Sequence, residues 1–414
     1  MGAFWHPFAF MGRVDGNEFT VDRGEGVYVY DTDGKKYLDG TASLWYNQIG
    51  YGRSEIADAV SEQLTKLHAF HTFGDFSNQP AMDLADRISQ IAPLPASKVF
   101  FTSGGSDSVE TAAKMARRYF AETGEPERTV LITRNWGYHG THGYGTALAG
   151  MAANLEHFGR PVHDIVQVEW DSLDSLTSAI DEVGAERVAG LFAEPVIGAG
   201  GVRFAGDHYF KEARRIISDA GALFIADEVI TGFGRVGAWF ASERFSLEPD
   251  LMTFAKGVTS GYIPLGGVVV SPRVADVLWS DDFIWRHGYT YSGHTTACVA
   301  GLVNLSIMER EDLVSRALVL ENDLADALEG LLDHPLVTEV RAGTGVLGAV
   351  QIDPERVAAD PTIAGTAANH SRDAGVITRA LAGGGLQASP PLTISLNQLD
   401  ELTAGLRAGL DAVA

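Results

Sequence analysis

Apolar residues along the chain follow two spacings, which predict strands and helices in alternation. Short continuous apolar runs, typical of strands covered on both faces, lie at 99–102, 129–132, 165–168, 188–193, 223–226, 251–255 and 267–270. Between these runs apolar residues recur at helical spacing, as in the helices predicted at 109–120 and 208–220. The alternation predicts an α/β domain with a mostly parallel sheet.

The two ends of the chain have a different pattern. Residues 26–30 and 36–39 predict a β-hairpin, and a helix is predicted from Glu55 to Leu67 with Ser54 as its N-cap. Beyond residue 305 we predict a long amphipathic helix ending before Pro335, strands at 346–352, 386–388 and 392–395, and a final leucine-striped helix. The predicted division is an N-terminal arm with part of a small domain (1–50), a large α/β domain (51–305) and a C-terminal small α+β domain (306–414).

Composition narrows the class of protein. The 414 residues carry 31 basic and 54 acidic side chains, a formal charge of −23 that would repel nucleic acid. No apolar run is long enough to cross a bilayer, and the N-terminus lacks the basic region of a secretory signal. The single cysteine, Cys298, cannot form an internal disulfide. We therefore expect a cytoplasmic enzyme without nucleic-acid or membrane partners.

Two successive strand ends carry an acid and a lysine. The run at 223–226 ends at Asp227 and Glu228, and the run at 251–255 ends at Lys256. Ligands of α/β sheets bind beyond the carboxyl ends of the strands, so both side chains are expected near a site. Each residue alone is equally compatible with a helix cap or a surface charge. Together they match pyridoxal phosphate chemistry, in which a lysine forms a Schiff base and a carboxylate pairs with the pyridinium nitrogen.

Further site candidates follow neighbouring strands. The small-residue loop Ser103–Asp107 precedes a helix and predicts a phosphate cup, although such loops are often only tight turns. Tyr138, between glycines, is placed to stack on a planar ring, and Val229 to cover its opposite face. Glu194 ends the strand at 188–193. His139 and His142 have no partners at ligand spacing, so we expect no metal.

One glycine motif has to be set aside. Residues 343–348 match G-x-G-x-x-G, which in dinucleotide-binding proteins lies between a strand and a helix. Here the residues that follow, 349–352, have the pattern of a strand. We therefore do not predict a nucleotide site at this motif.

The ordered motifs SGGSD, GYHG, AEPVIGAGG, DEVITGFGR, FAKG and HGYTYSGH resemble those of class III pyridoxal-phosphate aminotransferases. The resemblance runs from WHPF near residue 5 to SPPL near residue 391. It implies fold type I: a large domain with a mostly parallel seven-stranded sheet, and a smaller α+β domain built from both chain ends. It also implies a homodimer with shared active sites, with a tetramer left open.

The resemblance assigns roles to residues. Lys256 would be the Schiff-base lysine and the base for the 1,3-proton shift, and Asp227 the partner of the pyridinium nitrogen. The residues implied in cofactor binding are Gly104, Gly105, Ser106, Tyr138, His139, Glu194, Asp227, Val229, Lys256, Tyr289 and Thr290, with the last two reaching the phosphate bound by the other subunit. The cup departs from the usual GSGSE pattern, since Gly104 replaces a serine and removes one phosphate donor.

Within the family the ω-amino acid and amine:pyruvate aminotransferases are the most similar subgroup. Trp45 matches their substrate-pocket tryptophan, and Arg379 matches a mobile arginine that would pair with a substrate carboxylate. Tyr138 would also contact substrate, and the alternative for Arg379 is a surface position in a loop. We expect a ping-pong transaminase moving an amino group from a primary amine or ω-amino acid to a keto acid, with pyruvate as acceptor. The alternatives are a 2-oxoglutarate-dependent enzyme acting on ornithine, γ-aminobutyrate or a diamine, and a mutase or decarboxylase on the same scaffold.

Overall fold

The computed structural model describes residues 2–159 and 161–414. The strands are β1 Val21–Glu25, β2 Tyr28–Asp31, β3 Lys36–Asp39, β4 Lys98–Thr102, β5 Val130–Arg134, β6 Ile165–Val168, β7 Val188–Ala193, β8 Leu223–Asp227, β9 Leu251–Phe254, β10 Gly266–Val270, β11 Val337–Arg341, β12 Gly348–Ile352, β13 Val376–Ile377 and β14 Gly385–Ala388. The helices are α1 Met11–Val14, α2 Ala42–Trp45, α3 Ser54–Leu67, α4 Gln79–Ile91, α5 Gly105–Glu122, α6 Gly143–Leu148, α7 Leu173–Val183, α8 Asp207–Asp219, α9 Ala241–Arg244, α10 Pro272–Leu278, α11 Thr295–Arg310, α12 Leu313–Glu329, α13 Pro354–Ala359, α14 Ile363–Asp373 and α15 Leu396–Asp411.

A seven-stranded sheet with the order β4-β10-β9-β8-β7-β5-β6 forms the centre of the molecule. Strand β10 is antiparallel to both of its neighbours, and the remaining pairs are parallel. The carboxyl ends of β4, β5, β7, β8 and β9 therefore meet at one edge. The predicted mostly parallel seven-stranded sheet, and with it the α/β fold class, is confirmed.

Helix α5 covers one face of this sheet and carries the cup at its N-terminus. Its buried stripe includes Val109, Ala113, Ala116 and Phe120, the positions at which the sequence predicts an apolar face. These side chains pack against strand residues such as Leu131, Phe192 and Val268. Burying the stripe fixes the start of the helix relative to the ends of the strands.

Two smaller sheets join the chain ends. One has the order β1-β2-β3-β13, with β13 pairing parallel to β3, so N- and C-terminal segments share a sheet. The other has the order β11-β12-β14. This sharing agrees with a small domain built from both ends, while the domain boundaries at 50 and 305 stay predictions. The glycine motif at 343–348 lies between β11 and β12, in the strand–turn–strand setting that argued against a nucleotide site.

Three local predictions need correction. Residues 392–395 form no strand: Leu392 and Thr393 lie in a turn after two prolines, and Arg316 binds the carbonyls of Leu392 and Ile394 at 2.9 and 2.6 Å. Strand β1 was not predicted because its exposed sequence VDRGE shows no apolar alternation. Helix α11 was not predicted because buried residues surround its axis and leave no helical stripe to recognise.

No helix among the described residues is both long and apolar enough to span a membrane.

Candidate active site

A cavity of about 150 Å³ lies at the edge of the sheet where the parallel strands end. Residues predicted from the sequence supply most of its wall: Gly105, Ser106, Tyr138, His139, Glu194, Asp227, Val229 and Lys256. They belong to five separate strand ends or helix starts. The sheet topology therefore brings together chemistry that is spread over about 150 residues of sequence.

Asp227 is the last residue of β8 and is held by three neighbours. Its Oδ2 accepts a hydrogen bond from His139 Nδ1 at 2.7 Å, and its Oδ1 accepts from Thr253 Oγ1 at 2.9 Å and from the Val229 amide at 3.2 Å. The side chain is 3% exposed. These donors fix the orientation of a carboxylate inside the cavity wall.

Lys256 follows β9, the neighbour of β8, and its side chain enters the same cavity. Within the described residues its amine has no hydrogen-bond partner. Burial lowers the pKa of Lys256, an effect that Asp227 and Glu194 oppose and Arg379 reinforces. The structure therefore provides a free amine whose neutral, nucleophilic form is reached at lower pH than for an ordinary lysine.

The predicted cup is the N-terminus of α5. In the described part of the chain, no protein group accepts a hydrogen bond from the amides of residues 104–107, so these donors are available to a ligand. The Ser106 hydroxyl accepts from the Thr141 amide at 3.1 Å and keeps its own proton for donation. Asp107 points away from this role, since its carboxylate accepts from the Ser103 amide and pairs with His142. Together these donors form an anion site.

Glu194, at the end of β7, holds the loop that carries the stacking residue. Its carboxylate accepts hydrogen bonds from the amides of Tyr138 at 2.8 Å and Gly198 at 3.0 Å. Burial raises the pKa of Glu194. Burial also raises the pKa of the Tyr138 phenol. Glu194 thus positions Tyr138 in the cavity wall, facing Val229 and the lysine.

Trp45 and Arg379 lie together beside the cavity. The Arg379 guanidinium carbon is 4.6 Å from the centre of the Trp45 ring, a cation–π contact. Arg379 Nε is buried, and in the described residues it has no hydrogen-bond partner. Burial lowers the pKa of Arg379, and its charge acts on both Tyr138 and Lys256. The arginine is therefore not simply a surface residue.

Tyr289 and Thr290 lie outside this cavity wall. The Tyr289 hydroxyl donates to the Asp107 carbonyl of its own chain at 3.0 Å, which places the ring against the first turns of α5. Thr290 is exposed. Their expected reach to the phosphate of another subunit stays a prediction.

Sequence reasoning missed two residues that support the site. Thr253 binds Asp227, and its signal was a lone hydroxyl inside an otherwise apolar strand. Asp39, 2% exposed, ends β3 and binds the segment that leads to Trp45. An aspartate in a short hairpin is usually a turn residue, so the sequence offered no comparable signal for Asp39.

The chemistry of the cavity fits pyridoxal phosphate. A set of free amides at a helix start suits the phosphate, a buried carboxylate suits the ring nitrogen, and an unpartnered lysine amine suits the aldehyde. Gly105 is a close-packed element of this wall, since a Cβ there would lie 2.9 Å from Val229 Cγ1.

Comparison with known proteins gives a consistent result. The family model described as "Aminotransferase class-III" matches residues 11–410. The chain is 38% identical to a putrescine–pyruvate aminotransferase of Pseudomonas aeruginosa over 95% of this chain and 91% of the relative. It is 35% identical to a diaminobutyrate–2-oxoglutarate transaminase of Halomonas elongata, with coverages of 93% and 88%.

Solved structures agree over the whole length. A transaminase from the marine bacterium Virgibacillus superposes with a TM-score of 0.95 at 36% identity, covering 99% of this chain and 97% of that one. The ω-transaminase of Pseudomonas jessenii in complex with PMP superposes with a TM-score of 0.93 at 31% identity, with coverages of 99% and 96%. PMP is the aminated form of pyridoxal phosphate, so the second structure also supports the cofactor.

Proposed function

The chain belongs to the class III aminotransferase family, and on that basis we propose that it moves the amino group of a primary amine or ω-amino acid to pyruvate by a ping-pong mechanism. The family membership, the cofactor pyridoxal phosphate and the transfer of an amino group from an amine to a keto acid are the premises. The identities of the donor and the acceptor, and the roles of individual residues, are the proposal.

The observation that carries the choice of acceptor is the single guanidinium of Arg379 beside the cavity, stacked on Trp45 with no carboxylate partner among the described residues. One guanidinium suits one carboxylate, as in pyruvate or an ω-amino acid. When the substrate has no carboxylate, the same side chain remains satisfied on the indole ring.

A second cavity of about 310 Å³ shares Gly105 and Lys256 with the first and extends past Tyr46, Ile263 and Leu265. Of the described residues that line the two cavities, Lys256 alone carries a positive side chain. The second carboxylate of 2-oxoglutarate therefore has no cation to meet there, which favours pyruvate. The similarity to the putrescine–pyruvate enzyme supports the same acceptor, while the diaminobutyrate relative keeps the 2-oxoglutarate alternative in the test.

Each residue of the wall has a proposed task. When bound, the cofactor supplies an electron sink that stabilises negative charge on the carbon losing its proton. The amides of 104–107 and Ser106 would bind the phosphate, and Tyr138 and Val229 would hold the ring from its two faces. Asp227, braced by Thr253, would keep a proton on the ring nitrogen. Lys256 Nζ, neutral after release, would take the proton from the substrate carbon and return it one position along.

We propose that the working form is a homodimer. An exposed aromatic patch, Phe70, Phe73 and Phe76, adjoins the segment that contains Tyr289 and Thr290: Thr72 Oγ1 donates to the Ser292 carbonyl at 2.9 Å. Apolar patches of this kind mark interfaces. A second copy covering the patch would bring two sites close together. Sedimentation of the purified protein tests the oligomeric state. A cytoplasmic location stays a prediction that rests on the single cysteine.

The function is tested by following the visible absorbance of the bound cofactor through each half-reaction. The purified holoenzyme is given putrescine, butylamine or β-alanine separately, and the aminated enzyme is then given pyruvate or 2-oxoglutarate. We expect the band to bleach with at least one of these donors and to return faster with pyruvate. Exclusive recovery with 2-oxoglutarate would replace the acceptor assignment. A band that no donor bleaches would contradict the donor assignment and favour the mutase or decarboxylase alternative.

A further inference from the structure

The segment that presents Trp45 has an unfavourable backbone. Ala42, Ser43 and Trp45 adopt φ values of +46°, +57° and +62°, in the left-handed region that L-residues avoid. The segment 42–45 contains no glycine to relieve this conformation. Such a turn persists only where surrounding contacts hold it.

The holding contacts converge on the Asp39 carboxylate. Its Oδ1 accepts from the Thr41 amide at 2.9 Å and the Thr41 hydroxyl at 2.8 Å. Its Oδ2 accepts from the Ser43 amide at 2.6 Å and the Tyr51 hydroxyl at 2.7 Å. The described residues give Asp39 no salt bridge, so neutral donors that include two amides of the turn hold this buried charge. Loss of the carboxylate would leave those amides buried and unpaired.

The same framework carries Arg379. Strand β13 pairs with β3 so that Ile377 lies opposite Asp39, two residues before the arginine. Gln387 links the two segments, because its amide N–H donates to the Arg379 carbonyl at 3.0 Å and its side-chain nitrogen donates to the Thr41 carbonyl at 3.3 Å. Trp45 and Arg379 are therefore held on one unit, and the 4.6 Å stack between them depends on the turn.

We propose that Asp39 is a positioning residue for substrate carboxylates: it holds Trp45 in the left-handed turn, and the indole ring in turn holds Arg379 ready to pair with a carboxylate. The inference rests on the proposed role of Arg379. Without Asp39 the turn relaxes, the indole ring moves, and the guanidinium loses its stacked resting place. Substrates that lack a carboxylate do not use this contact and are affected little.

The test separates carboxylate recognition from activity and from folding. Propionate carries the carboxylate but cannot react, so its binding to the holoenzyme is measured by calorimetry for wild type, Asp39→Asn, Tyr51→Phe and Arg379→Ala. Asp250→Asn is the matched control: Asp250 is an equally buried carboxylate, 3% exposed, that accepts from the Phe224 amide away from Trp45. Thermal unfolding and the cofactor absorbance are recorded for every variant. The half-reactions with β-alanine and with butylamine are compared where they occur.

We expect Asp39→Asn to weaken propionate about tenfold, towards the value of Arg379→Ala, because a guanidinium that is no longer held pays to be ordered on binding. Tyr51→Phe, which removes one donor outside the turn, should weaken it less. Butylamine turnover should change less than β-alanine turnover. Unchanged propionate binding in Asp39→Asn would overturn the proposal, as would an equal loss in Asp250→Asn. A wild-type protein that does not bind propionate would also overturn it, whether or not transamination is observed.

Discussion

The two adjacent glycines of the cup allow a sharp test of the cofactor cavity. A Cβ added at Gly105 would lie 2.9 Å from Val229 Cγ1, 3.3 Å from Val229 Cγ2 and 3.7 Å from the Ala255 Cβ, whereas one added at Gly104 would meet nothing within 4 Å. Neither residue has a positive φ, because Gly104 is extended at 172° and Gly105 opens α5. The pair therefore differs in available space and not in backbone requirement.

The expected magnitude follows from the crowding at Val229. Overpacking of this kind costs about 1–3 kcal/mol, because Val229 or the start of α5 has to shift. The gain in helix propensity of alanine over glycine, at most about 1 kcal/mol in a helix interior, is smaller at the first helical position. Val229 and the amides of 104–107 both face the ligand, so the cost falls on cofactor affinity. At about 1.4 kcal/mol per factor of ten, Gly105→Ala should weaken pyridoxal phosphate by about 5- to 150-fold.

The assay is an equilibrium titration of apoprotein with pyridoxal phosphate, with thermal unfolding of each apoprotein recorded in parallel. Gly104→Ala should bind within about twofold of wild type, since its methyl group meets no atom. Gly104→Ser should bind about tenfold more tightly, because it restores a hydroxyl donor to a charged phosphate. Equal affinities of Gly105→Ala and wild type would refute the reasoning. A loss in Gly104→Ala as large as that in Gly105→Ala would refute it as well.

Three further outcomes follow from the same structure. Thr253→Val removes the 2.9 Å hydrogen bond to Asp227 and should lower kcat/KM by about tenfold, the effect of about 1.5 kcal/mol, while Thr253→Ser keeps most activity in steady-state assays. Because burial lowers the pKa of Lys256, cofactor capture by apoprotein should rise with pH and reach half its maximum below 10.5, whereas capture by N-acetyl-lysine, measured alongside, should do so at the ordinary value. Arg235→Met strips donors from the buried carbonyls of Val346 and Pro390 and should lower the free energy of unfolding by about 3–5 kcal/mol, seen as a lower denaturant midpoint; a midpoint equal to wild type would contradict this.

The large sheet could be predicted from sequence because its strands are short apolar runs bounded by turn residues. Strands β7, β8 and β9 show this pattern with the fewest exceptions, and their ends carry Glu194, Asp227 and Lys256. Once the strands are parallel neighbours, the convergence of these three side chains follows from topology. Helix α11 and strand β1 escaped prediction because each lacks the two-sided contrast of apolar and polar residues on which periodicity depends.

Partners of the site residues could not be read from the pattern in the same way. The His139–Asp227 hydrogen bond joins residues 88 positions apart, and the sequence showed only two nearby histidines that resembled a metal pair. In the structure each histidine has its own acid, Asp227 for His139 and Asp107 for His142. One histidine therefore orients the cavity carboxylate, and the other contacts the helix start that forms the cup.

The two halves of the site differ in how they are built, and this explains why one half was visible in the sequence. The cofactor half uses the ends of consecutive strands, so each element carries a motif next to its own apolar run. The substrate half uses Trp45 and Arg379, which meet only because β3 and β13, more than 330 residues apart, pair in one small sheet. Its backbone is held by a buried acid and a buried glutamine, Asp39 and Gln387, whose donors and acceptors are mostly main-chain groups. Main-chain partners leave no trace in residue identity, so an inserted or lost contact there can change substrate preference while every motif of the cofactor half is retained.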